Sequence, residues 1–218
     1  MNRMEPAYPA DGVVPTHVKD QALVERRRLQ IVDAAVKLFI ENGFHKTTTR
    51  QIARAAHISI GTLYEYVKTK EDVLYLVCVA IHAEVERGVK EVLERAGGGK
   101  EALRGVIREY FHVCDRMSDH ILLMYQEIKS LPSQWQQRVL ENEVRITGLF
   151  KAAISGLLTE VGQQPPDGVA LDLMAHNITV LGHMWTFRRW YFRRNYRIED
   201  YISHQTALIM RELTGLSA

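Results

Sequence analysis

The chain is 218 residues long, 46% hydrophobic and 25% charged, with a net charge of +2. That composition fits a globular protein of one or two domains and excludes a wholly disordered chain. No apolar run approaches the ~20 residues that cross a bilayer, and residues 1–18 lack the basic-then-apolar pattern of a signal peptide, so a cytoplasmic protein without membrane contact is expected.

Pro6, Pro9 and Pro15 mark residues 1–22 as a flexible arm. From Ile31, apolar residues recur at Ala34, Ala35, Leu38 and Phe39, the spacing of an amphipathic helix, and Asn42-Gly43 ends it. Thr48 to Gln51 fits a capping box that opens a short helix through Ala56. Ser59 caps another helix to Tyr66, and Thr69, followed by Glu71 and Asp72, caps a helix that runs to Ala96 and stops at Gly97 to Gly99. Further helices are expected over about 100–116, 119–130, 133–161, 168–195 and 199–213, with Ser118 and Ser133 as caps and Pro165-Pro166 in a loop. No stretch alternates with period two. The fold class is all-α with nine helices, divided into a head over 23–70 and a body over 71–218.

Charge is unevenly spread. Residues 20–70 hold nine Lys/Arg against five Asp/Glu, whereas residues 71–187 hold eleven against sixteen. A basic head on a mildly acidic body suggests an anionic partner for the head. Cys78 and Cys114 are too few for a disulfide framework and read as small buried hydrophobes.

Residues 47–66 form a helix, a tight turn and a second helix behind a longer amphipathic one, the arrangement that places a helix in the DNA major groove. Ser59, Gly61 and Thr62 are small where backbone must approach phosphate. Thr49, Ser59, Thr62, Tyr64 and Tyr66 carry donors for phosphate oxygens, and Arg50, Lys68 and Lys70 supply cations. Leu63 and Val67 point inward. On spacing alone, a helical hairpin with a solvated polar face fits equally well.

The longer string is more specific. Ile31, Ala34-Ala35, Leu38-Phe39, Asn42-Gly43-Phe44, Thr47-Thr48, Ile52-Ala53, Ala55-Ala56, Ile58-Ser59, Gly61-Thr62-Leu63-Tyr64-Glu65-Tyr66, Lys70 and Leu74 closely resemble the N-terminal domain of the TetR family of bacterial repressors. The resemblance implies a homodimer that binds a palindromic double-stranded DNA operator and releases it when a small molecule enters the C-terminal domain, without catalysis, cofactor or metal. It also implies DNA contacts from Thr49, Arg50, Ser59, Ile60, Gly61, Thr62, Tyr64, Tyr66 and Lys70. The chain departs from the family at His57, where the turn usually has Gly; at Ile60, suited to a thymine methyl; and at Val67, which replaces an aromatic.

No catalytic motif is present, and His176 and His183, seven apart, read as pocket or interface residues rather than metal ligands. Tyr110, Met117, Met124, Tyr125, Met174, Asn177, Leu181 and Trp185 are the candidate lining of a pocket for a hydrophobic effector, although any one of them also suits an ordinary core. Residues 185–197 pack five arginines and six aromatics into thirteen positions. Arg189 and Arg193 are the candidate seat of an anionic head, which makes a fatty acid or an acyl-coenzyme A thioester the expected effector. The plainer reading is a cationic helix end beside interface aromatics. The competing functions are a multidrug-type repressor that responds to lipophilic cations and a helical interaction protein that does not bind DNA.

Overall fold

A computed structural model describes residues 14–164 and 167–215. Among them the chain forms ten α-helices and one 3-10 turn, and no strand: α1 (Gln21–Asn42), α2 (Thr49–Ala55), α3 (Ile60–Tyr66), α4 (Lys70–Ala96), α5 (Gly99–Arg116), α6 (Ser118–Glu127), the turn Ile128–Ser130, α7 (Ser133–Glu160), α8 (Gly168–Phe187), α9 (Arg189–Asn195) and α10 (Ile198–Thr214). They pack as two compact units, residues up to 80 with 123–140, and residues 81–122 with 141 onward. The first unit thus takes in more chain than the 23–70 head read from sequence.

The local signals of the first unit become hydrogen bonds. Gln51 N–H donates to Thr48 Oγ1 while Thr48 N–H donates to Gln51 Oε1 at 2.8 Å, a reciprocal capping box. Thr62 N–H donates to Ser59 Oγ at 2.9 Å and opens α3. Thr69 and Asp72 cap each other at the start of α4, and the Lys68 N–H adds a second donor to the buried Asp72 carboxylate. His57 sits at φ +53, in the left-handed region that the missing glycine would have occupied. Ile31, Ala35 and Phe39 of α1, Ile52 of α2, and Leu63 with Val67 behind α3 are all buried. Truncating such a residue removes ~2–5 kcal/mol, so these side chains hold the helix pair at its angle.

Of the arm expected over 1–22, residues 1–13 lie outside the described residues, as do Pro165 and Pro166. The described part is tied down: Val14 is buried, its carbonyl accepts from Arg28, and Thr16 Oγ1 donates to the Glu65 carbonyl at 2.7 Å.

In the second unit α5 is the centre, packed against α8 and α10. Its buried row includes Leu103, Val106, Ile107, Tyr110, Phe111 and Cys114. Burial pushes the Cys114 thiol up to about 12, so it behaves as an inert core residue. The helix expected over 168–195 is two helices, which raises the count from nine to ten. At Arg188 the backbone turns to φ −107, ψ 25, and the chain after it folds back so that the Phe192 ring stacks on Trp185 at 5.9 Å. Neither Gly nor Pro stands at this break; aromatic packing makes it.

Candidate nucleic-acid interface

α2 and α3 present one continuous face of hydroxyls. The Thr49 and Tyr64 hydroxyls meet at 3.1 Å, and those of Ser59 and Thr62 meet at 2.9 Å. Tyr64 is 50% exposed even though Leu63 beside it is fully buried. Each of these hydroxyls keeps a lone pair or proton for an outside partner. Arg50 and Lys68 are exposed beside them, Ile60 is half-buried at the first position of α3, and Gly61 is exposed. A methyl group at Gly61 would meet nothing nearer than Ser59 Oγ at 3.6 Å, so packing within the chain does not require the glycine.

Two of the nine sequence-assigned contacts sit differently. Tyr66 is only 3% exposed and belongs to the core of the head, with its carbonyl toward Arg28. Lys70 is turned back on its own unit: Nζ donates to the Phe44 and His45 carbonyls at 3.0 and 2.9 Å and lies 4.5 Å over the Phe44 ring. Its charge remains at the base of the helix pair, but two of its three donors are already used.

The model of the bacterial regulatory proteins of the TetR family matches residues 31–75. The fatty acid metabolism regulator protein of Bacillus subtilis (strain 168) is 34% identical over 155 residues, which cover 71% of this chain and 77% of the relative. This chain belongs to the TetR family. The HTH-type transcriptional regulator HbdR of Aromatoleum sp. (strain CIB) is 29% identical over 197 residues, covering 90% of this chain and 85% of HbdR. The crystal structure of the TetR-family regulator PfmR from Thermus thermophilus shares the fold, with a TM-score of 0.69, 24% identity, and coverage of 83% of this chain and 97% of PfmR. The α2–α3 pair is accordingly the helix-turn-helix of a TetR-family transcriptional regulator, not a hairpin with an idle polar face, and the protein is not an enzyme. No helix among the described residues is long and apolar enough to cross a membrane.

The expected effector residues of this TetR-family regulator are divided between the two units. Met124 (buried) and Tyr125 (exposed) belong to the first unit, whereas Tyr110, Met117, Met174, Asn177, Leu181, Trp185, Arg189 and Arg193 belong to the second. Met174, Asn177 and Leu181 line a cleft of about 320 Å³ with Ile154, Val180 and Leu208. Tyr110 lies in the core, its hydroxyl 3.2 Å from the Thr179 carbonyl and 3.0 Å from His183 Nε2. Trp185 is also buried and donates through Nε1 to Asp115 at 2.7 Å.

The anion seat expected at Arg189 and Arg193 is already filled from within. Arg189 is paired with Asp119, and Arg193 donates to both the carbonyl and the carboxylate of Asp115 at 2.9 Å. A guanidinium satisfied by a fixed carboxylate offers little to a ligand phosphate.

A polar group of the body escaped the sequence reading. His82 Nε2 lies 2.9 Å from Glu143 Oε1, with the His82 side chain 3% and that of Glu143 24% exposed. Burial works against the Glu143 charge, but the His82 hydrogen bond and the fields of His82, His183 and His176 hold its carboxyl below the usual range. The sequence signal was a carboxylate in register with Ile146, Thr147 and Phe150, all buried on the same face of α7. His183 is buried on Tyr110 rather than paired with His176, which is exposed, and no group of three or more ligating side chains among the described residues is arranged to hold a metal.

Proposed function

We propose that this regulator is a repressor that binds a two-fold operator as a homodimer and leaves it when a hydrophobic acyl compound binds the body. The observation that carries the DNA-binding half is the exposed hydroxyl face of α2 and α3 with Arg50 and Lys68 at its edges. Such a face holds phosphates and reads bases at close range. Dimerisation is supported by Val169, Leu173 and Val180 on α8 and Leu208 on α10, which are 70, 59, 61 and 50% exposed. A second copy laid over that row would remove it from water. Two heads would then read half-sites about 34–36 Å apart, and affinity would fall steeply with salt as counterions are released.

The acyl effector rests on the name of the Bacillus subtilis relative, a fatty acid metabolism regulator, and on the apolar body. With Arg189 and Arg193 occupied, recognition falls on the hydrocarbon rather than on an anionic head. Glu143 favours a second reading, a lipophilic cation, because its carboxylate, held ionised beside His82 in the body, could attract one. Either effector works only through its difference in affinity between the DNA-bound and released conformations. A gel-shift panel with operator DNA, free fatty acids, acyl-coenzyme A thioesters and lipophilic cations tests both halves. Release by the acyl series with chain-length dependence is expected. Release by cations alone would replace the effector, and absence of any DNA binding would remove the function.

A further inference from the structure

We propose a binding site for an oxyanion, a phosphate or carboxylate group, in the cleft between α5 and α10, independent of the acyl effector. The cleft is about 350 Å³ and is lined by Glu101, Arg104, Gly105 and Arg108 of α5 and by Glu199, Ile202, Ser203 and Thr206 of α10. That volume lies at the small end of ligand pockets, the size of a compact polar molecule or one end of a larger one.

Three features point to an anion. Arg104 and Arg108 stand four apart on one helix, so both guanidiniums share a face and repel each other. Arg108 makes no ion pair among the described residues, and Arg104 beside it is held only loosely by Glu101 at 4.0 Å. Of the two acids in the cleft, Glu199 lies 3.4 Å from His112, and Glu101 is 81% exposed, so neither forms a close ion pair with the cleft's arginines. At the α10 wall, Thr206 is 7% exposed, and its buried hydroxyl has no hydrogen-bond partner among the described residues. A buried hydroxyl left unpaired is rare and costly. A donor there, with Ser203 one turn before it and two guanidiniums opposite, is the arrangement that holds an oxyanion through charge-assisted hydrogen bonds.

Calorimetric titration of the full chain in a phosphate-free buffer provides the test, with inorganic phosphate in one arm and coenzyme A in the other. Saturable binding is expected in at least one arm: phosphate alone marks a free-ion site, and coenzyme A alone marks a phosphate carried on a larger ligand. Arg108→Ala should weaken binding at least tenfold and the near-isosteric Thr206→Val about threefold, while Arg194→Ala, an exposed arginine on α9, should leave it unchanged. No saturable binding in either arm would overturn the site, as would equal weakening by Arg108→Ala and Arg194→Ala or binding indifferent to Arg108→Ala. Thr206→Val alters no charge, so its loss of affinity cannot be a general ionic effect.

Discussion

The phenol of Tyr64 lies 3.1 Å from the Thr49 hydroxyl, fifteen residues away in sequence, and joins α3 to α2 on their exposed hydroxyl face. This bond aims Tyr64 without burying it. Tyr64→Phe should therefore change stability by less than about 1 kcal/mol, because an exposed hydrogen bond is readily replaced by water. Operator affinity, read by fluorescence anisotropy, should fall by about 1–3 kcal/mol if the hydroxyl meets a base edge. Thr49→Val should reproduce part of that loss.

Gly61 carries the opposite signature. It weakens α3 as any helical glycine does, and nothing within 3.6 Å forbids a methyl group there. Gly61→Ala should raise the melting temperature, in line with a helix-propensity gain of up to about 1 kcal/mol. It should lower operator affinity, since the added methyl keeps the α3 backbone from the duplex. A variant that is stabler and binds as tightly would show the glycine to be idle.

Lys70 and Lys68 should separate structural from electrostatic roles. Lys70→Ala removes two bonds to loop carbonyls and a cation–π contact, so the first unit should lose about 1–3 kcal/mol in chemical denaturation. Lys68 is exposed, and Lys68→Ala should leave stability unchanged while reducing the salt slope of DNA binding by about one.

Acid should destabilise the second unit over two successive pH ranges. Burial holds the His183 imidazole below its ordinary 6.5, against the pull of Glu143. The unfolded chain then takes up that proton first, and stability falls as pH drops below about 6.5. Glu143 is held below its ordinary 4.5, so its contribution is complete above that value and is lost as pH falls further. Urea midpoints measured from pH 7.5 to 3.5 should show both limbs, and Glu143→Gln should flatten the lower one.

The DNA-binding head was legible in the sequence because what specifies it is local. A cap and its acceptor lie three residues apart, as in Thr48 with Gln51, Ser59 with Thr62 and Thr69 with Asp72, and apolar residues at helical spacing mark which face is buried. The turn at His57 was marked instead by the resemblance to the TetR family, which usually has a glycine there, and the residue does sit at φ +53. Local signals also set most helix ends, and with them the all-α class.

Tertiary packing decided the rest. Arg189 and Arg193 looked free because their carboxylates, Asp119 and Asp115, lie 70 and 78 residues away on other helices. The break at Arg188 has no proline or glycine to announce it, because it is set by Trp185 and Phe192 stacking after the chain has turned. Tyr66 and Lys70 follow the same logic: a polar side chain beside a helix end faces solvent or its own unit according to which loop packs against it, and the carbonyls that claim Lys70 come from residues 25 and 26 positions earlier. Interactions within one helical turn are fixed by covalent spacing, whereas the partner of a long charged side chain is whichever group packing brings within about 3 Å.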